Sequence, residues 1–318
     1  MCEEVGELRA ILECLVLLCV CYGCNKSEVV SIDGELKPRT MKELMEIPGG
    51  DWERVDIGRM NLICARDADG TDRIDVERMV KILDKWAEVA KAAEEHYRKS
   101  FEAHPERYDN SYAKYRAVNL ALTVKEDLQC RYQKSLITSG AMDDIRSPRF
   151  FRNPDDVFIS GLLLNRRGTC SSFPVLLVAL GRRLGYPLYL KTTLGHMFYC
   201  WDDGSERFNL DTNGDAVDTP PDEYYLTDPS FGSNGRSLES LQHERKMVNL
   251  TNGESLGIFI ETAGYSIEAR GNSARASMHY AIAMRFQHAR QTFVLRRDRG
   301  MQQQNVIITK GTRDDNLE

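Results

Sequence analysis

Three residues carry the side-chain types of a covalent acyl-transfer centre: Cys170, His196 and Asp211. A thiol can attack an acyl carbon, an imidazole can take and return the proton, and a carboxylate can orient the imidazole. That chemistry requires no cofactor and no metal, so the sequence sets out a site with neither. The spacing matters as much as the types. Cys170 precedes the apolar run VLLVALGRRL, which stops at Gly185 with Pro187 just beyond, the expected end of a helix. Thr169, Ser171 and Ser172 are all N-cap types. Cys170 is therefore expected at or beside the first turn, where free backbone N–H groups and the helix dipole favour a thiolate. Arg166 and Arg167 either add positive charge there or form a solvated loop pair.

The two partners must come from strands. Pro187 to Trp201 is rich in β-branched and aromatic residues, and Asp202-Asp203-Gly204-Ser205 follows, an Asp-Gly hairpin signal. With Asp203 and Gly204 as a two-residue loop, the pairing places His196 directly opposite Asp211 on one face of the hairpin. A one-residue slip would separate them. Cys200 shares the His196 face but is strand-borne and away from any helix dipole, so it reads as a core thiol rather than a nucleophile.

These residues carry a resemblance. G-T-C at 168–170 opening a helix, R-R-L-G-Y-P at 182–187, G-H at 195–196 and F-N-L-D at 208–211 resemble the transglutaminase-like superfamily of papain-type cysteine enzymes. The branch it looks most like comprises bacterial proteins that join such a core to C-terminal tetratricopeptide-like helices, the SirB-type relatives. The resemblance is specific over about Phe158 to Tyr225. It implies an α+β fold, a papain/transglutaminase-like core with helices packed on a small antiparallel sheet, followed by a C-terminal helical hairpin. It also implies Cys170 as nucleophile, His196 as base and Asp211 as its orienting acid. The chain departs from the usual pattern where Met197-Phe198 follows the histidine and where the acidic strand reads N-L-D-T-N-G. Many relatives in that branch lack the cysteine; this chain keeps it.

The remaining chain is divided as 1–24 signal or lipoprotein leader, 25–73 leader or linker, 74–232 transglutaminase-like domain, 235–296 helical tetratricopeptide-like segment and 297–318 disordered tail. The leader reading rests on the apolar stretch Leu15–Gly23 and on Gly23-Cys24 followed by polar residues, with Cys24 as a possible lipid anchor and a cell-envelope or exported location. Glu3, Glu4, Glu7 and Glu13 fit that reading poorly, and a cytoplasmic chain with a buried N-terminal helix is the alternative. The Cys14/Cys19/Cys21/Cys24 spacing matches no familiar zinc pattern. Asp67-Ala-Asp-Gly-Thr-Asp72 lacks the glycine and glutamate positions of a calcium loop and reads as a turn before an N-cap. A net charge of −6 gives no support for nucleic-acid binding, and no stretch reaches the roughly 20 apolar residues of a membrane span.

Helical periodicity is strongest from Asp75 to about His104, and a second helix is expected from Asn110 to about Cys130, both as scaffold. A short helix is expected near Met41–Met45. His96 and His104 read as surface residues, and Asp143, Asp144, Asp155 and Asp156 as turns and caps. Thr219–Tyr225 is either a structural corner or part of a substrate groove. In the last helical segment Ala274, Ser277 and Ala281 are expected to let a neighbouring helix approach, with Met278, Ile282 and Phe286 as an adjoining apolar stripe. The functional expectation is a cysteine acyl-transfer enzyme acting on amide or peptide bonds through a thioester, more readily hydrolytic than cross-linking. Its substrate would be a protein or peptide, with a further protein partner possible at the C-terminal helices. The alternative is a catalytically silent scaffold or protein-binding module of the same fold.

Overall fold

An eleven-residue helix with apolar residues on every side organises the core, and such a helix is stable only when surrounded. In the computed structural model, which describes residues 34–286 apart from 137–147, 213–216, 229–230, 232–236 and 244–245, its neighbours supply that enclosure. They are α1 (Ile57–Asp69), α2 (Val76–Ala103), α3 (Tyr112–Glu126) and α4 (Ile159–Asn165); the central helix itself is α5 (Phe173–Arg183). Shorter helical turns, including the expected one at Met41–Met45, are left unlabelled. The leader with Cys24, the Asp143-Asp144 pair and the tail from 297 onward lie outside the described residues.

Local chemistry explains the helix ends. Asp56 accepts from Arg59 N–H at 2.7 Å to start α1, and Gly70 ends it in the left-handed region at φ 75°. Asp75 caps α2 through Arg78 N–H at 3.0 Å, so the Asp67–Asp72 stretch is a helix end and turn, as expected. The same Asp56 carboxylate receives Arg183 from the far end of α5 at 2.7 and 3.1 Å, fastening α5 to the start of α1. Phe158 offers α4 no side-chain cap; instead Asn61 of α1 accepts from Ile159 N–H at 3.0 Å.

Helix α1 corrects the expectation that residues 25–73 are linker with only one short helix. Ten of its residues are buried, including Arg59 and Asn61.

The sheet is three-stranded and antiparallel, in the order β3 (Leu188–Thr192), β4 (Met197–Asp202), β5 (Arg207–Leu210). A separate two-residue parallel pair joins β1 (Arg131–Tyr132) to β2 (Arg167–Gly168). Leu188, Leu190, Tyr199, Trp201 and Leu210 face the main core with α5; Phe198 on the other face joins Tyr225, Phe231, Leu241 and Met247 in a second cluster. Mixed helix and strand is thus the observed class, in line with an α+β reading.

The hairpin register differs from expectation. Asp202 pairs with Arg207 and Tyr199 with Leu210, so the loop has four residues, Asp203–Glu206. The Asp203 carboxylate causes this: it accepts from the N–H groups of Ser205 and Glu206 at 2.8 and 2.7 Å and from the Trp201 indole at 2.9 Å. Those hydrogen bonds hold Asp203 well below the usual carboxylate range. A shift of two residues preserves facing, because side chains alternate with period two.

Helices α6 (Asp222–Thr227), α7 (Asn252–Ala269) and α8 (Ser273–Ala283) follow. A capping box of Thr251 and Glu254 starts α7, which packs on α1 and α8. The buried side of α8 is Ala276, His279 and Ala283, continued by Phe286, while Ala274, Ser277, Met278 and Ala281 face solvent. Of the expected stripe, Phe286 is buried and Ile282 is half-buried against the core, while Met278 is turned outward and the buried His279 is paired with Asp67 of α1 and Arg275 O. His96 and His104 are exposed as expected. Among the described residues, no helix is long and apolar enough to cross a membrane.

Candidate active site

Cys170 lies in the turn immediately before α5. Ser172 occupies the N-cap position but does not cap forward; its hydroxyl accepts from Thr169 N–H at 2.9 Å. Thr169 Oγ1 accepts from Ser171 N–H at 3.3 Å and donates to Asp156 O at 2.8 Å, tying the cysteine loop to the preceding helical turn. A side chain at Gly168 would collide with the Ser172 hydroxyl and Leu162, so the G-T-C sequence is needed for this close approach. The Arg166 guanidinium lies over the Trp86 ring at 4.3 Å, and Arg167 is exposed.

His196 stands at the mouth of a tight turn rather than within a strand. Leu194 and Gly195 reverse the chain between β3 and β4, closed by Thr193 N–H donating to His196 O at 2.9 Å. Asp211 follows β5 and bridges to Asp218 through a pair of backbone hydrogen bonds at 2.9 and 3.0 Å. With the observed register the two residues are diagonal rather than directly opposite, a separation long side chains can span. They do so: His196 Nε2 and Asp211 Oδ2 are 2.8 Å apart.

The carboxylate can only accept, so Nε2 carries the proton of that bond and Nδ1 is the nitrogen presented to the Cys170 thiol. Burial alone would depress the ring. The charge and hydrogen bond of Asp211, joined by the Cys170 sulfur, outweigh it and push His196 up to about 10. All three members are buried, at 3% exposure for Cys170, 7% for His196 and 6% for Asp211. Rings enclose the imidazole: Phe231 at 5.1 Å, Phe198 at 6.0 Å and Tyr225 at 6.1 Å between centroids.

Two tyrosines that the sequence reading did not assign complete the site. Tyr132 Oη accepts from Cys170 N–H at 3.1 Å, and its ring stacks on Phe173 at 6.0 Å. The β1–β2 pair brings it there, through Arg131 N–H to Arg166 O at 2.7 Å and Gln133 N–H to Gly168 O at 2.8 Å. Burial, and then the neighbouring Cys170 sulfur, raise the Tyr132 phenol well above its ordinary value, keeping it a donor. Nothing local in the sequence signals a two-residue parallel contact between such distant positions. Tyr225, from the Thr219–Tyr225 loop and α6, donates to Asp211 Oδ2 at 3.2 Å.

Comparison with protein-family models, with curated proteins and with solved structures finds no match.

Cys64, Cys130 and Cys200, like Cys170, are buried and free, and burial pushes Cys130 and Cys200 up to about 12. Cys200 donates to Asn249 Oδ1 at 3.0 Å and stays a strand thiol. Among the described residues no cluster of three or more ligand side chains could hold a metal ion.

Proposed function

We propose that the chain is a cysteine-dependent acyl-transfer enzyme of papain/transglutaminase-like type, cleaving amide or peptide bonds through a thioester. The observation that carries this reading is the 2.8 Å contact of His196 with Asp211 beside a cysteine at a helix start. In this reading Cys170 Sγ attacks the acyl carbon, and its proton resides on Nδ1 of His196. Asp211 holds the ring through Nε2 and stabilises the imidazolium. The substrate oxygen, as it gains charge, takes the Cys170 N–H from Tyr132 Oη and receives the phenol proton as a second hydrogen bond. His196 then protonates the leaving amine. Water resolves the thioester more readily than an amine, since it needs no second bound substrate.

The experiment is the alkylation rate of Cys170 by iodoacetamide against pH, mapped by peptide mass, in wild type and His196→Ala. A reactive limb well below the range of a free thiol, abolished in the variant, supports the ion pair. A limb that coincides in the two proteins defeats it. The burial of Cys170, His196 and Asp211 supports a second reading, a silent protein-binding module, which the same outcome would favour.

A further inference from the structure

We infer that Tyr225 is a positioning residue of this site, fixing the Asp211 carboxylate so that one oxygen stays aimed at His196. The inference rests on the acyl-transfer reading above and adds to it a residue outside the Cys-His-Asp set.

Asp211 Oδ2 is shared. It receives His196 Nε2–H at 2.8 Å and the Tyr225 hydroxyl at 3.2 Å. A carboxylate can rotate about its last bond with little resistance, and the Tyr225 hydroxyl, converging on the same oxygen that receives His196, restricts that rotation. The phenol is suited to this task. Tyr225 is fully buried, its ring stacked on Phe198 at 4.0 Å and packed against Phe231 at 5.1 Å, so its hydroxyl has one place to go. Burial, then the charge of Asp211, keep the phenol protonated and therefore donating.

The helix that carries Tyr225 is itself fixed from the sheet. Asp222, one turn earlier on α6, accepts from Lys191 Nζ at 3.2 Å and from Asn209 Nδ2 at 2.8 Å. Lys191 is a wholly buried lysine on β3 that also donates to Asn209 Oδ1 at 2.9 Å. Positions 222 and 225 fall on the same side of a helix, so the ion pair to Lys191 and the hydroxyl on Asp211 are two ends of one brace. A fully buried lysine is rarely tolerated without such a partner. Its place here is explained by the need to hold α6 against the polar face of β3 and β5.

The groups facing this pair come from every side. Cys170 approaches His196 and Asp211 from the cysteine loop and Tyr132 from β1, and Tyr199 of β4 is near enough to feel the charge of Asp211. Tyr224 and Asp222 lie on α6, Asp218 beside Asp211 on the returning chain, and Lys191 opposite Asp222.

The test is the iodoacetamide pH profile of Cys170 in wild type, His196→Ala and Tyr225→Phe, with thermal melts of each. Tyr225→Phe keeps the ring and its stacks and removes only the hydroxyl. The expected result is a reactive limb displaced upward by about one pH unit, and alkylation at pH 6 slowed about tenfold, the scale of one hydrogen bond to a charged group. A role confined to packing would lower the melting temperature and leave the limb in place. As a second measurement, the His196 Nε2 proton followed by nitrogen-15 NMR should exchange faster in Tyr225→Phe. If wild type shows the His196-dependent limb and Tyr225→Phe matches it within twofold, or moves it downward, the inference fails and the acyl-transfer reading stands. If wild type shows no dependence on His196, the acyl-transfer reading fails and takes this inference with it.

Discussion

Replacing Tyr132 by phenylalanine should separate two reactions of one thiol. Alkylation by iodoacetamide is a displacement at a saturated carbon and develops no oxyanion. Acylation by p-nitrophenyl acetate passes through a tetrahedral oxyanion. The Tyr132 hydroxyl is hydrogen-bonded to the Cys170 N–H at 3.1 Å, which places it beside any oxygen that N–H would stabilise. Removing one such donor costs about 3 kcal/mol of barrier, or roughly a hundredfold in rate. Any change in the state of the thiol affects both reactions, so the ratio of acylation to alkylation isolates the oxyanion contribution. The expected ratio in Tyr132→Phe is about a hundredfold below wild type. Stability should fall as well, by about 1–3 kcal/mol, because the Cys170 N–H is left without its acceptor in a residue only 3% exposed. The ring stays on Phe173, so the loss should not exceed that range. Stopped-flow rates of the two reagents at a common pH give the answer. If both fall or rise by the same factor, Tyr132 is a neighbour of the thiol and no more.

Asp211→Asn should remove the charge that outweighs burial at His196, and the ring should titrate below its ordinary value of about 6.5 instead of at about 10, as read by NMR. Stability should depend on the two paired histidines with a definite sign. Asp67 and Arg275 O raise His279 despite burial, and Asp211 raises His196 to about 10, so both contributions are complete below about pH 6.5. They are lost as pH rises through the folded-state values, and denaturant titrations should show His279→Gln costing about 1 kcal/mol more at pH 6 than at pH 10. Gly161→Ala should cost about 3 kcal/mol or prevent folding, since a methyl there is driven into the Asp155 carbonyl; circular dichroism melts check it. Iodoacetamide at pH 7 should mark Cys170 in the native protein before Cys64, Cys130 or Cys200, by peptide mapping, because Cys170 has the His196 imidazole beside it.

What the sequence made legible were the features with a local cause. The helix Val76–Ala103 has one apolar face and a capped start, and the end of α5 has Gly185 in the left-handed region. The hairpin was legible in facing but not in register: the Asp-Gly signal is real, yet Asp203 spends its carboxylate on the turn's own N–H groups and lengthens the loop by two. His196 and Asp211 still meet because two is an even number. Where partners are distant, the pattern fails. Helix α1 buries Arg59 against Glu77 and Asn61 against Ile159, partners 18 and 98 residues away that local sequence does not announce. On α8 the polar His279 points inward to Asp67 and the apolar Met278 outward at 65% exposure. Tyr132 reaches Cys170 through a contact no window of sequence contains.

The β1–β2 bridge also sets how firmly the Tyr132 side of the site is held. The chain runs 38 residues from Tyr132 to Cys170, no farther than from Cys170 to Asp211, so loop closure does not set the two sides apart. The difference lies in what holds each side: a three-stranded antiparallel sheet positions His196 and Asp211, whereas two parallel residue pairs hold Tyr132. Opening the Tyr132 side needs the rupture of only a few hydrogen bonds rather than the melting of the domain. Amide exchange at Arg131 and Gln133, whose N–H groups make the bridge, is expected to outpace exchange throughout β3, β4 and β5. The nucleophile's exposure to the outside would then be governed by the breathing rate of one two-residue ribbon.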